Sequence, residues 1–311
     1  MSNLLVIFGI TGQQGSSIAN TILQDTHLST RYRIRGLTRD TSQPTAQALR
    51  NQGVELLQGS IDNPDSVKHV LKDAHTVFLM TSSIYAPGGR EQEYAQGTSI
   101  ADACVASGVQ FLIYSTVPSA SKISGGKYPV ASFDVKNDVK TYIQSLPIKS
   151  SFFSPGGFMQ NYLGQMAPRP TGGPDGEMAL TNFVVPETQW PLIDIAADTG
   201  KFVGAMLAEP EKFAGREVCA ATKLYTMTEL VETMSKVAGK EVKYQQVPKE
   251  AFAGFLPEGV MREAMLNMYS YIEEFGYFGA ESEREVVWAK ENARGELTGL
   301  EECLRRSGFG K

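Results

Sequence analysis

Short apolar runs recur along the first half of the chain, separated by longer segments of mixed polarity. The runs lie at residues 4–10, 32–38, 54–59, 76–80 and 111–114. They are rich in branched and aromatic residues and are too short to span a membrane. Runs of this kind are typical of strands that are buried on both faces of a parallel sheet.

The segments between these runs have the apolar spacing of helices, at residues 16–25, 44–52 and 91–107. Five strand–helix units are complete by residue 150, and a sixth apolar run covers residues 150–154. Regular alternation of strand and helix predicts an α/β fold with a doubly wound parallel sheet.

The pattern becomes irregular after residue 150. A loop at 167–176 is dense in proline and glycine, and the spacing beyond it predicts further elements. These are helices near 198–207, 228–237, 258–275 and 300–306 and strands near 217–221 and 241–247. We therefore expect a first domain at residues 1–150 and a smaller α+β subdomain at residues 151–311, interleaved with the first.

A glycine-rich turn follows the first apolar run directly, with Gly9, Gly12 and Gly15 at regular spacing. Strand, glycine turn and helix is the arrangement that places a pyrophosphate on free N–H groups at a helix N-terminus. The alternative is an ordinary strand-to-helix turn that needs one glycine at positive φ. Three regularly spaced glycines exceed that need, and they favour a dinucleotide-binding fold of the Rossmann type.

The end of the second run indicates which dinucleotide is bound. An acidic residue at this position would favour NAD, but here Thr38 and Arg39 precede Asp40. A guanidinium can pair bidentately with a 2′-phosphate, so Arg39 predicts NADP(H). A solvated arginine at a strand end is the alternative.

Polar residues also follow the third and fourth runs. Asp62 can meet the adenine amino group, or it can cap the helix that begins near Pro64. Thr81 and Ser82 suit the wall of a cofactor crevice, although small hydroxyl residues suit any turn as well.

Composition narrows the classes of protein. The 311 residues are 42% hydrophobic and 20% charged, and the net charge of −5 argues against direct binding to nucleic acid. The three cysteines are far apart and form no CxxC pair, so neither a disulfide framework nor a metal site is expected. The apolar N-terminus has no basic flank of the kind that signal peptides carry. We expect no membrane association and a cytoplasmic location, with the nucleus as a second compartment.

Six short motifs carry a family resemblance: GITGQQG, LTRD, LLQGSIDN, YSTV, SFDVKNDVKTYI and SFFSPGGFMQNY. In this order they resemble the NmrA-like branch of the atypical short-chain dehydrogenase/reductases, over essentially the whole chain. Within it the chain is more similar to fungal nitrogen-metabolite regulators and mammalian NADPH sensors than to plant isoflavone reductases. The resemblance implies a dinucleotide-binding Rossmann domain and a C-terminal region that takes a substrate or a regulatory partner such as a transcription factor.

The resemblance also implies roles for individual residues of this sequence. It places Thr11, Gln13, Gln14 and the three glycines of the turn on the pyrophosphate, and Arg39 on the 2′-phosphate. The remaining positions lie along the cofactor cleft (Thr81, Ser82), on the nicotinamide ribose (Lys136) and beside the nicotinamide ring (Pro155, Gly156, Phe158).

The acid–base chemistry of the related reductases is in doubt here. They use Tyr-x-x-x-Lys, in which the lysine lowers the pKa of a tyrosine that donates a proton. Ser132 stands four residues before Lys136, and its hydroxyl is a poor proton donor. Tyr128 is eight residues before Lys136, and Pro129 makes the helix begin after it. Lys136 is therefore the candidate catalytic residue, either as a ribose ligand or as a proton donor, and Tyr128 is a remote second candidate.

Two hypotheses for the function follow. The missing tyrosine favours a redox sensor, in which the state of the cofactor changes a conformation that a partner protein reads. The retained Lys136 and the apolar C-terminal part favour an NADPH-dependent reductase of a quinone, enone, imine or similar small apolar substrate. Met261, Met265, Leu266 and Tyr269 share one helical face, which predicts core packing or else a substrate lid or partner groove. Association into a homodimer is compatible with either hypothesis.

Overall fold

The computed structural model describes residues 2–171 and 177–310, so the predicted loop at 167–176 lies partly outside the described residues. The strands are β1 Asn3–Phe8, β2 Tyr32–Thr38, β3 Glu55–Gln58, β4 Thr76–Met80, β5 Phe111–Ser115, β6 Lys149–Pro155, β7 Gly157–Phe158, β8 Arg169–Pro170, β9 Met178–Asn182, β10 Gln189–Ile193, β11 Glu217–Ala220, β12 Lys223–Thr226 and β13 Val242–Gln246.

The helices are α1 Gln13–Gln24, α2 Thr26–Arg31, α3 Pro44–Asn51, α4 Pro64–Val70, α5 Gly89–Ala106, α6 Ala120–Ile123, α7 Ala131–Ser145, α8 Ile195–Ala208, α9 Pro210–Phe213, α10 Met227–Ala238, α11 Lys249–Gly254, α12 Val260–Phe275, α13 Ser282–Glu291 and α14 Leu300–Arg306, with a 3-10 helix at Met159–Leu163. No helix among the described residues is long and apolar enough to cross a bilayer.

Seven parallel strands form the central sheet, in the order β11-β6-β5-β4-β1-β2-β3. The prediction of a doubly wound parallel sheet is confirmed. The strand order reverses between β1 and β4, which is where parallel sheets of this topology open a crevice at the carboxyl ends of their strands. The glycine turn after β1 lies at this point.

Alternating side chains of β1 enter two different cores. Leu5 and Ile7 pack with α1 and α8 on one face of the sheet. Leu4, Val6 and Phe8 pack with α5 and α7 on the other. Both faces are therefore covered, which explains why the sheet strands read as continuous apolar runs.

The second half of the chain returns to this sheet. β6 and β11 are its last two strands, and α8 packs against α1 beneath it. The remaining C-terminal elements form two small sheets, β12-β10-β7 and β13-β9-β8, around a separate apolar cluster. Trp190, Tyr269, Tyr271 and Tyr277 are buried in this cluster.

The sequence predicted the C-terminal elements unevenly. The expected helices correspond to α8, α10, α12 and α14, and the expected strands to β11 and β13. β9, β10, β12 and α13 were not expected. β10 carries Pro191 at its centre, which lowers its strand signal, and β12 is only four residues long.

Candidate functional site

Helix α1 begins in the glycine turn with an open N-terminus. Gly12 is its N-cap residue, and no side chain caps the helix there. Gly9 adopts a positive φ of 71°, and its carbonyl accepts a hydrogen bond of 2.9 Å from the Gly12 amide. The first amides of α1 have no intrahelical acceptors, so this turn is an anion-binding geometry.

Gly15 is required for a different reason, because it brings α1 close to the turn. A Cβ built on Gly15 would stand 2.4 Å from the Gly9 carbonyl oxygen and 2.5 Å from the Ile10 Cα. Both atoms belong to the backbone and cannot move aside. The third glycine of the motif therefore fixes the approach of helix to strand.

A cavity of about 420 Å³ extends from the glycine turn over the ends of β2 and β3. Six of its lining residues are among those singled out from the sequence: Gly9, Thr11, Gly12, Arg39, Asp62 and Ser82. The Arg39 guanidinium forms no ion pair with any described residue. The neighbouring Asp40 carboxylate instead accepts hydrogen bonds from the Ser42 amide (2.8 Å) and hydroxyl (2.6 Å).

Asp62 does not cap α4, so its alternative role as the cap of the helix that begins near Pro64 is wrong. Asn63 caps α4, with its side-chain oxygen accepting from the amides of Asp65 (2.9 Å) and Ser66 (3.3 Å). Asp62 lies one residue earlier, in the cavity wall, where it accepts a hydrogen bond of 2.6 Å from the Gln96 side chain.

A second cavity of about 240 Å³ lies on the other side of the glycine turn, over the ends of β4, β5 and β6. It brings together Gln14, Thr81, Lys136, Pro155, Gly156 and Phe158, all singled out from the sequence. Ser132, at the position of the missing tyrosine, also lines it. Residues of the glycine motif line both cavities, Gly9, Thr11 and Gly12 the first and Gln14 the second, and the two cavities together make up the crevice along the carboxyl edge of the sheet.

Lys136 is held from two sides at the edge of the second cavity. Its ammonium donates a hydrogen bond of 3.1 Å to the Thr81 carbonyl and forms an ion pair with Glu93 on α5. Burial lowers the pKa of the Lys136 ammonium, and the Glu93 carboxylate acts in the opposite direction and raises it.

No sequence pattern indicated a role for Glu93. Glutamates in the first turns of a helix are typically solvated and favourable there, and Glu91 in the same helix is indeed exposed. Glu93 is only 1% exposed. Its significance depends on the packing of α5 against α7, which brings Lys136 to it.

Tyr128 lies away from this site. Its hydroxyl donates a hydrogen bond of 2.8 Å to Glu274, and it lines neither cavity. Helix α7 begins at Ala131, after Val130 as N-cap, so Tyr128 is not on the helix that carries Lys136. The structure does not bring the second catalytic candidate to the first.

Aromatic side chains from both parts of the chain line the second cavity. They are Phe133 from α7 and Tyr162, Trp190 and Tyr277 from the C-terminal part, and the sequence analysis placed none of them in the site. The Tyr162 hydroxyl is buried and has no hydrogen-bond partner among the described residues. The Gln14 side-chain oxygen, in the first turn of α1, is also buried and also has no hydrogen-bond partner among the described residues.

The methionine-rich helix α12 mainly serves the core. Met265, Leu266 and Tyr269 pack into the C-terminal apolar cluster, which agrees with the core interpretation of that face. Met268, on the same helix, reaches the second cavity, and Met166 joins it there.

The fold and the crevice define a Rossmann-type α/β protein whose C-terminal part covers one end of the crevice. Its family follows from the sequence: the NmrA-like family model matches residues 1–304. The chain belongs to the NmrA-like family, and the resemblance of its motifs is confirmed.

Named relatives extend this result. The NmrA-like family domain-containing oxidoreductase lnaB of Aspergillus flavus is 27% identical over 96% of this chain and 91% of its own. The fold is similar to NmrA, a negative transcriptional regulator solved in complex with NADP, with a TM-score of 0.81, 23% identity and coverage of 99% and 95% of the two chains. It is also similar to the Citrobacter triphenylmethane reductase complexed with NADP(H), with a TM-score of 0.77, 19% identity and coverage of 97% and 99%.

Proposed function

We propose that this protein binds NADP(H) in the crevice and reduces a small, apolar, flat acceptor in the second cavity. The observation that carries the proposal is the aromatic-walled cavity that adjoins both the glycine turn and Lys136. A concave, mostly apolar cavity with a few polar groups is typical of a small-molecule site. On this proposal residues 1–150 hold the dinucleotide, and residues 151–311 supply half of the residues that line the cavity around the acceptor.

The residues present fit a dinucleotide. The open N-terminus of α1 and the close approach at Gly15 suit a pyrophosphate. Arg39, without an ion pair among the described residues, suits the 2′-phosphate of NADP(H). Gln14 lines the second cavity in the first turn of α1, and its side-chain oxygen, without a partner among the described residues, suits a polar group of a ligand. The complexes of NmrA with NADP and of triphenylmethane reductase with NADP(H) support the same cofactor.

Bound NADPH would supply a hydride, and the chain's own residues would prepare the acceptor. The aromatic side chains of Phe133, Trp190 and Tyr277 line the cavity and favour a planar apolar molecule. The Lys136 ammonium has three donors, and the longest of its hydrogen bonds, 3.3 Å to the Thr81 hydroxyl, is the one that can be exchanged for the ribose hydroxyls or a developing negative charge.

The site favours acceptors that need little proton donation. Ser132 replaces the usual tyrosine at the cavity, and Tyr128 is bonded to Glu274 elsewhere. Quinones, enones and iminium carbons accept hydride with little or no acid assistance, whereas simple ketones need it. The name of the Aspergillus relative, an oxidoreductase, supports a reduction of this kind.

NADPH binding and turnover, measured separately, test the proposal. Titration followed by NADPH fluorescence should give saturable binding that Gly12→Val abolishes, because the added side chain enters the anion-binding turn. NADPH oxidation should occur with quinones or iminium dyes and should fall at least tenfold in Lys136→Met. Gly254→Ala, a substitution in open space on α11, is the control. Binding without turnover on the whole panel would contradict the reductase.

A regulator is the second candidate, because the chain lacks the tyrosine and its fold is similar to that of a negative transcriptional regulator. It requires that NADPH and NADP+ have different affinities for two conformations of the protein. Capture of a transcription factor that depends on which of the two cofactors is present, together with no turnover, would establish it. Equal capture with both cofactors would exclude it.

A further inference from the structure

We propose that Glu93 is a positioning residue: the buried counter-charge that keeps Lys136 protonated and directs its ammonium to the second cavity. The proposal deepens the proposed function, on which it rests for what Lys136 contacts. Its own content concerns only these two side chains and can be measured without any ligand.

The first support is the burial of the Glu93 carboxylate. The Glu93 side chain is 2% exposed, against 15% for that of Lys136, which reaches the cavity. Glu93 accepts a hydrogen bond of 2.7 Å from the Thr81 hydroxyl and pairs with the Lys136 ammonium. A buried carboxylate is costly unless it is paired and hydrogen-bonded, and Glu93 has both kinds of partner.

The second support is the direction in which Lys136 is held. One N–H is bonded to the Thr81 carbonyl and another to Glu93, and both acceptors lie on the side of α5 and the end of β4. An ammonium has three donors. The third lies 3.3 Å from the Thr81 hydroxyl oxygen, and this is the longest of the hydrogen bonds that hold the ammonium, so the third donor is the one that can turn to a ligand in the cavity that Lys136 lines. Without Glu93, one of the two anchors that fix this direction is lost.

The third support is the charge balance around Lys136. Tyr114, from β5, is bonded to the Thr81 hydroxyl at 3.2 Å, and burial raises the pKa of its phenol, which therefore stays neutral. The phenols of Tyr85, Tyr162 and Tyr277 also line the cavity.

Farther out, Arg90 pairs with Asp138 at 2.5 Å across the α5–α7 contact, and the Lys122 ammonium lies 3.9 Å from the same carboxylate, so Asp138 has cations of its own. Among the described residues, Glu93 is thus the carboxylate that pairs with Lys136. Removing its charge leaves burial unopposed, which favours the neutral amine.

Competitive trace acetylation of the ligand-free protein, read by mass spectrometry across pH, gives the protonation midpoint of each lysine. In Glu93→Gln we expect the midpoint of Lys136 to fall by at least one pH unit, which makes it about tenfold more reactive on the acidic side of its transition. Glu91→Gln, an exposed neighbour on the same helix, should leave it unchanged. The midpoints of exposed lysines serve as internal references.

A merely structural contact between α5 and α7 would give a different result. In that case Glu93→Gln would change the unfolding temperature and leave the Lys136 midpoint at the wild-type value, which would overturn the proposal. Should Glu93→Gln fail to fold, Glu93→Asp keeps the charge but withdraws it by one methylene. In Glu93→Asp, a fall of the Lys136 midpoint that is smaller than the one pH unit expected for Glu93→Gln supports the proposal. A midpoint at the wild-type value overturns it.

Repeating the labelling with NADPH separates this proposal from the proposed function. Protection of Lys136 by NADPH in the wild-type protein would support both. A lowered midpoint in Glu93→Gln without protection by NADPH would leave the role of Glu93 standing and remove the cofactor from this site. An unchanged midpoint in Glu93→Gln, together with protection of Lys136 by NADPH, would overturn the role of Glu93 and leave the cofactor at this site.

Discussion

Gly200 on α8 lies directly against Thr21 on α1, on the face of the sheet beneath the glycine turn. A Cβ on Gly200 would stand 2.0 Å from the Thr21 hydroxyl oxygen and 2.4 Å from the Ser17 carbonyl oxygen, and the Gly200 amide donates to the Ser17 hydroxyl at 3.0 Å. Helix α1, which begins at the glycine turn, therefore packs tightly against α8 from the second half of the chain.

This contact predicts the effect of Gly200→Ala. The substitution should destabilise the protein by about 1–3 kcal/mol, although alanine ordinarily favours a helix, because the added methyl forces α1 and α8 apart. Urea unfolding measures the change. Gly254→Ala, in open space, is the control and should be neutral or stabilising. Equal stability of Gly200→Ala and the wild type would show that the helices separate at no cost.

Arg39→Ala tests the choice of dinucleotide. We expect the Kd for NADPH to rise about 10–100-fold, the equivalent of a lost charge-assisted hydrogen-bond pair, while the Kd for NADH changes little. Fluorescence titration with both cofactors measures the ratio. Arg50→Ala, an exposed arginine on α3, should change neither. A similar loss for NADPH and NADH would place the guanidinium on a part that both cofactors share.

Tyr162→Phe tests whether the buried hydroxyl is kept for a ligand. Because this hydroxyl has no partner among the described residues, its removal should stabilise the ligand-free protein by about 1–3 kcal/mol. Calorimetry measures the rise in Tm, with Tyr244→Phe as the comparison, because the Tyr244 hydroxyl donates to the Val184 carbonyl at 2.6 Å. Destabilisation of Tyr162→Phe would show that the hydroxyl is bonded in solution.

The ion pair between Asp25 and Arg294 predicts a stability change at acidic pH. The hydrogen bond from Arg294 is the main cause that lowers the pKa of Asp25 to about 2. The folded pKa is below the unfolded value, so the pair stabilises the protein above pH 4 and this contribution is lost between about pH 4 and pH 2.

Arg294→Met should therefore be about 1 kcal/mol less stable than the wild type at neutral pH, a figure discounted for partial exposure of the pair. The difference should vanish by pH 2. Arg284→Met, which removes an exposed pair, is the control. A difference that is constant from pH 7 to pH 2 would assign the effect to packing rather than charge.

The sequence was sufficient for the parts of the site that depend on local geometry. The glycine turn and Arg39 lie where a chain with this strand order must place them, because each follows a strand that its apolar run identified. Lys136 came from the family resemblance, and spacing alone would not have shown it. Glu93, Tyr162 and Trp190 could not be found in the same way. Their roles depend on which elements pack together across long separations in sequence, and neither a glutamate in an α-helix nor a tyrosine in a 3-10 helix shows from its local sequence that it is buried.

The same limit applies to the fold. β11 could be recognised as a strand, but its four residues do not reveal that it pairs with β6 rather than with its neighbour β12. Asp62 and Asn63 are adjacent residues of similar capping propensity, so only the backbone geometry decides that Asn63 caps α4.

The position of β11 at the end of the central sheet has a consequence for synthesis of the protein. β6 is complete at residue 155, yet its outer edge stays uncovered until residues 217–220 have left the ribosome. An exposed strand edge invites pairing with another chain, and pairing across a long separation is slow. Chains that end before residue 217 should therefore aggregate, although they contain the whole glycine turn, β1 and the two strands β2 and β4 that pair with β1.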